Sequence, residues 1–199
     1  MTHSACRRLA TLSGIDVIAV DYRRAPEHPA PAAIEDVRAV LAWLNNRPES
    51  IQPIGLAGDS AGALIAYLAT YGSEVEIDQL LLINPNVDLT LSSPSVEAKG
   101  TGWGLNARDL EWFVSQWAPT AAMCEGQALS PLQNPPSAAP MTTVITSEHD
   151  PLRDEGLALA RHLRGAERLT AHHHLDGMVH GVINLDTISP QHGGWATSS

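Results

Sequence analysis

Two rhythms of apolar and polar positions alternate along this chain. Short runs of β-branched and aliphatic residues are separated by stretches in which apolar residues recur at helical spacing. Residues 15–22, IDVIAVDY, lack a polar face and predict a strand buried on both sides. Pro26, Pro29 and Pro31 then interrupt regular structure. Ile34, Val37, Leu41 and Leu44 fall on one stripe and predict a helix over 32–45, closed off by Pro48 and Pro53. Residues 54–57 predict a second strand, which meets Gly58 at once. Residues 61–71 are apolar nearly all round, so that helix should be buried. Further strands are expected over 79–84, 142–147 and 169–174, with helices over 153–163 and 182–186. Strands alternating with helices define an α/β chain with a mostly parallel sheet and helices on both faces.

Residues 88–140 break this rhythm. They are rich in Ser, Pro, Gly and Ala, and one helix is expected in them, over 107–117, with Asn106 as its N-cap. The expected organisation is therefore a single domain over 1–199 with 88–140 as a cap-like insertion, serving as a lid or binding wall. The tail from Ser189 to Ser199 is small and polar, and is expected to fray.

Composition narrows the function classes. The chain has 199 residues, 44% of them hydrophobic and 17% charged, which suits one ordinary globular core. Its net charge of −10 repels nucleic acid and anionic membrane surfaces, so neither is expected as a partner. Cys6 and Cys124 sit in no metal-ligand spacing, and free thiols are the simplest reading, with a single disulfide left open. There is no apolar run of membrane-span length, and residues 1–10 lack the apolar middle of a signal peptide, so a cytoplasmic protein is expected.

The chemistry concentrates at Gly58-Asp59-Ser60-Ala61-Gly62, a GxSxG run with a strand leading in and an apolar helix leading out. In that context the serine occupies a sharp turn that lifts its hydroxyl clear of the sheet. Side chains two residues to either side would collide with neighbouring backbone, which accounts for both glycines. The start of the following helix places the Ala61 N–H where an oxyanion would form. The alternative is a plain strand–turn–helix packed by glycines.

A serine hydroxyl needs a base, and the base needs an orienting carboxylate. In this fold the order is serine, acid, histidine. Asp150 lies in the loop past a predicted strand and is the acid candidate. Glu148 and His149 are read as loop surface, and Asp154 and Glu155 as the first turn of the next helix, where the helix dipole favours them. Among nine histidines, His180 comes late enough, after a short loop over 175–179 and before Gly181. His172 and His174 could share one face of a strand, but no third ligand stands at a sensible spacing, so no metal is expected.

These residues resemble a known family. Asp21-Tyr22-Arg23-Arg24-Ala25-Pro26-Glu27-His28-Pro29 is similar to the DYRLAPEHP signature of bacterial hormone-sensitive-lipase-like esterases, of the α/β-hydrolase fold. The likeness continues through Pro31-Ala32-Ala33, Glu35-Asp36, the GDSAG elbow at 58–62, an NPxxD-like stretch over 84–88, residues 150–155 and residues 178–181. It implies hydrolysis of short- to medium-chain carboxylic esters through an acyl-enzyme, with Ser60, Asp150 and His180 as triad and no cofactor. It implies a small-molecule ester as partner and a homodimer through the sheet edge. It also implies an HGGG oxyanion loop, early strands and an N-terminal cap ahead of Cys6, for which the sequence starts too late. His192-Gly193-Gly194-Trp195 carries similar letters at the other end. Without that loop, the alternative is a weak or inactive remnant that binds a small ligand.

Overall fold

The computed structural model describes residues 3–47, 53–125, 128–132 and 139–185. Its centre is a four-stranded sheet in the order β1-β2-β3-β4. The strands are β1 (Gly55–Asp59), β2 (Gln79–Ile83), β3 (Met141–His149) and β4 (Leu169–Val179), and every neighbouring pair is parallel. The helices are α1 (His3–Ser13), α2 (Ala32–Asn45), α3 (Ala61–Ala69), α4 (Pro94–Lys99), α5 (Ala107–Trp117), α6 (Ala121–Glu125) and α7 (Arg153–Gly165), followed by a 3₁₀ turn at Val182–Asn184.

A parallel sheet needs a crossover after each strand, and right-handed crossovers that all advance the same way put their helices on one face. Accordingly Ala63, Ala66 and Tyr67 of α3 share one core cluster with Leu159, Ala160 and Leu163 of α7, over Leu80, Leu82 and Val144 of the sheet. The register pairs Leu80 with Thr142 and Leu82 with Val144, so these inward positions line up across strands. On the opposite face Leu81, Thr143 and Ile145 are only half-buried. A second cluster sits behind α3, where its Leu64, Ile65 and Leu68 meet Ile34, Val37 and Leu41 of α2. Residues 63–69 are all buried, as expected of a helix apolar on every side.

Several expectations are corrected. Residues 15–22 form no strand and pair with none among the described residues; Ile15 and Ile18 are exposed, while Val20 and Tyr22 pack on the α2–α3 cluster. A β-branched run becomes a strand only where a neighbouring backbone takes its N–H and C=O groups, and among the described residues none pairs with it. Helix α1 precedes that run, at a place where no helix was expected. The insertion holds α4 and α6 as well as the expected α5. Asn106 turns its amide to Asp109 Oδ2 (3.0 Å) rather than capping α5 with its side chain. Strand β4 runs to Val179, which absorbs the loop expected over 175–179. The last expected helix is only the 3₁₀ turn, and Asp186 lies outside the described residues. Pro48, the 189–199 tail and the 192–195 run within it also lie outside them.

Candidate active site

Ser60 is the only residue between β1 and α3. Its backbone stands at φ 58 and ψ −122, a conformation that a residue with a Cβ rarely adopts. Its N–H donates to Ile83 O (2.9 Å), and its carbonyl accepts from Ala63 N–H (2.9 Å). A side chain at Gly58 would overlap the Gly62 carbonyl, so glycine is required there. Gly62 differs from expectation: an added Cβ would meet only the Tyr22 hydroxyl, at 3.9 Å, an ordinary contact. Ala61 opens α3, and a first-turn N–H has no acceptor within its own helix.

Asp150 follows β3 directly and is fully buried. Its Oδ1 accepts from Leu152 N–H at 2.8 Å. Its Oδ2 accepts from Asn84 Nδ2 at 2.7 Å and faces His180 Nδ1 at 2.9 Å. An ionised carboxylate only accepts, so Nδ1 carries the proton and Nε2 presents its lone pair. That Nε2 lies 2.9 Å from Ser60 Oγ, so the serine hydroxyl donates to it. The structure thus brings Ser60, His180 and Asp150 into one hydrogen-bonded line, with Ala61 beside the serine. His180 follows β4 directly and precedes Gly181, whose φ of 74 turns the chain. Helix α1 supports this turn through Arg8 Nη2, which donates to Ile183 O at 2.9 Å.

The other candidates fall elsewhere. Glu148 and His149 lie on β3 rather than in a loop; His149 stacks on Trp103 with ring centroids 3.8 Å apart. Lys99 Nζ donates to His149 Nδ1 at 3.2 Å. Glu155 does open α7 but is fully buried, with Oε1 accepting from Val87 N–H at 2.7 Å. Burial, foremost, pushes its carboxyl well above the usual range. His172 Nε2 and His174 Nδ1 both meet Thr146 Oγ1 at 2.9 Å. Among the described residues no three potential ligands gather as for a metal ion. Cys6 and Cys124 are free. In the 21–29 segment Arg23 pairs with Asp36 (2.9 Å) and Glu35 (3.3 Å) of α2.

Sequence reasoning missed three polar groups here. Asp59, beside the serine, has its carboxyl raised, chiefly by burial, against the opposing pull of His180. Asn84 Nδ2 donates to Asp150 Oδ2 at 2.7 Å and to Ser147 Oγ at 3.0 Å. Their signal was position: Asn84 directly follows β2, beside β3, on which Ser147 lies and which Asp150 directly follows.

Comparisons with known proteins place the fold. A family profile described as the α/β-hydrolase fold matches residues 1–184. The carboxylic ester hydrolase LipN of Mycobacterium tuberculosis is 35% identical over 202 residues, covering 92% of this chain and 53% of LipN. The ethyl acetate hydrolase of Pseudomonas putida is 33% identical, covering 92% of this chain and 61% of that protein. The structure of the Pyrobaculum calidifontis esterase superposes with a TM-score of 0.88 at 34% identity, over 96% of this chain and 67% of that one. The chain belongs to the α/β-hydrolase fold family. It spans little more than half the length of these curated relatives. Among the described residues no helix is long and apolar enough to cross a membrane.

Proposed function

We propose that this chain is a serine hydrolase acting on short- to medium-chain carboxylic esters. The observation that carries the reading is the continuous line from Ser60 Oγ to His180 Nε2 and from Nδ1 to Asp150, at 2.9 Å for each link. Ser60 Oγ attacks the ester carbonyl as His180 Nε2 takes its proton. The carbonyl oxygen becomes an oxyanion, and the Ala61 N–H donates to it. Collapse breaks the bond to the alcohol, which leaves with the proton from His180. Water then attacks the acyl-Ser60 ester, again deprotonated by His180, and the acid is released. Asp150 holds the Nδ1–H tautomer and offsets the imidazolium charge throughout.

The insertion over 88–140 serves as a wall beside this site. Ser95 ties it there: its Oγ donates to Pro151 O at 2.6 Å and accepts from Asp154 N–H at 3.0 Å. The aromatic residues have separate duties. Trp103 stacks on His149, Trp117 joins the core, and Trp112 and Phe113 are exposed against each other, centroids 5.3 Å apart.

The test is p-nitrophenyl butyrate hydrolysis together with fluorophosphonate labelling of the purified chain. Labelling of Ser60 that Ser60→Ala abolishes, along with turnover, is the expected result. A folded chain that stays unlabelled would sink the hydrolase reading and leave a ligand-binding module.

A further inference from the structure

We propose that Asn84 is a positioning residue for Asp150, setting the carboxylate oxygen that faces His180; this rests on the triad reading above. Asn84 is 1% exposed and directly follows β2, at φ 43 in the left-handed region. Its N–H donates to Ile145 O at 2.8 Å, which locks its backbone to β3. Its Nδ2 then donates to Asp150 Oδ2 at 2.7 Å and to Ser147 Oγ at 3.0 Å. The amide cannot turn round without setting its oxygen against a carboxylate oxygen, so this orientation is fixed by chemistry. Its Oδ1 is buried with no hydrogen-bond partner. Two local costs, an unusual backbone and an orphaned acceptor, are thus tolerated at one residue that touches the acid.

The geometry gives the amide a specific task. Leu152 N–H occupies Asp150 Oδ1, and Asn84 shares Oδ2 with His180. Each carboxylate oxygen therefore has a fixed donor apart from the histidine. The plane of the carboxylate is set before His180 arrives, and the imidazole meets an oxygen that cannot rotate away.

The experiment follows the second-order rate of fluorophosphonate labelling of Ser60 across pH, for parent, Asn84→Gly and Asn84→Asp, with thermal unfolding recorded at each pH. Asn84→Gly suits the backbone angle and deletes the donor; labelling should slow about tenfold to a hundredfold. Asn84→Asp keeps the shape. The titratable groups around Asp150 are His180, Asp59 and Glu155. Burial and the neighbouring carboxylate should keep the introduced carboxyl protonated at the acid end, where it donates as the amide does. Its ratio to parent should then start near one and fall as pH rises and the carboxyl ionises. Parent-like labelling of either variant at every pH overturns the proposal. So does a ratio for Asn84→Asp that is reduced equally at all pH, or that merely tracks unfolding. If Asn84→Gly fails to fold, the Asn84→Asp ratio decides alone. Failure of the parent to label Ser60 would instead remove the hydrolase reading itself.

Discussion

His180 Nε2 and Ser60 Oγ lie 2.9 Å apart although 120 positions separate them in the chain. The contact exists because β1 and β4, at opposite ends of the sheet order, both finish at the same edge of a parallel sheet. Parallel strands all end on one side, so residues placed just after them converge.

Asp150→Asn should retain the fold and lose catalysis. An amide at 150 can offer His180 its oxygen only by turning its NH₂ toward another hydrogen-bond donor, the Leu152 N–H. The histidine tautomer is then no longer enforced. We expect kcat for p-nitrophenyl butyrate to fall by about three to four orders of magnitude, with circular dichroism unchanged. A loss under tenfold would show that Asp150 does not orient the base.

Ser60→Gly should be more stable than Ser60→Ala. Both remove the hydroxyl, but only glycine relaxes at φ 58 and ψ −122. Holding a non-glycine residue there costs about 1–3 kcal/mol, so urea unfolding should give the glycine variant a higher midpoint. Equal midpoints would mean that the elbow stores no strain.

Gly58→Ala and Gly62→Ala should part company. The new Cβ at 58 would strike the Gly62 carbonyl, whereas at 62 it meets nothing nearer than 3.9 Å. We expect Gly58→Ala to cost about 1–3 kcal/mol. Gly62→Ala should be neutral to slightly stabilising, since alanine favours a helix. Equal costs for both, measured by thermal unfolding, would contradict the elbow geometry.

Glu155→Gln should change the pH dependence of stability. Burial raises the folded-state carboxyl well above its ordinary value of 4.5. In that window the folded chain holds a proton that the unfolded chain has released. Stability is therefore full below about pH 4.5 and declines as pH rises toward the folded-state value. Glutamine does not titrate and keeps an acceptor for Val87 N–H. Urea midpoints of Glu155→Gln should decline less than the parent's from pH 4.5 upward; parallel curves would show that Glu155 is ionised at no cost.

The three side chains that converge, Ser60, Asp150 and His180, were readable without coordinates because each sits beside a local signal. Ser60 follows a strand at a glycine-flanked turn, Asp150 follows a strand ahead of a helix, and His180 precedes a glycine. Glu155 stands in the first turn of α7 as expected, but its burial was not legible, because only the packing of α7 against Val87 encloses it. His149, read as loop surface, misled, since it lies on β3 and its stacking on Trp103 joins two segments far apart in sequence.

The sequence by itself determined the alternation of strands and helices, the buried character of α3 and the order of serine, acid and histidine, because periodicity and turn chemistry are local properties. Tertiary structure alone decided that residues 15–22 find no strand partner among the described residues, that Gly58 rather than Gly62 bears the steric demand at the elbow, and that Asn84 touches Asp150. Each of those depends on which backbone lies alongside, and a neighbour across the sheet leaves no mark on the residues adjacent in the chain.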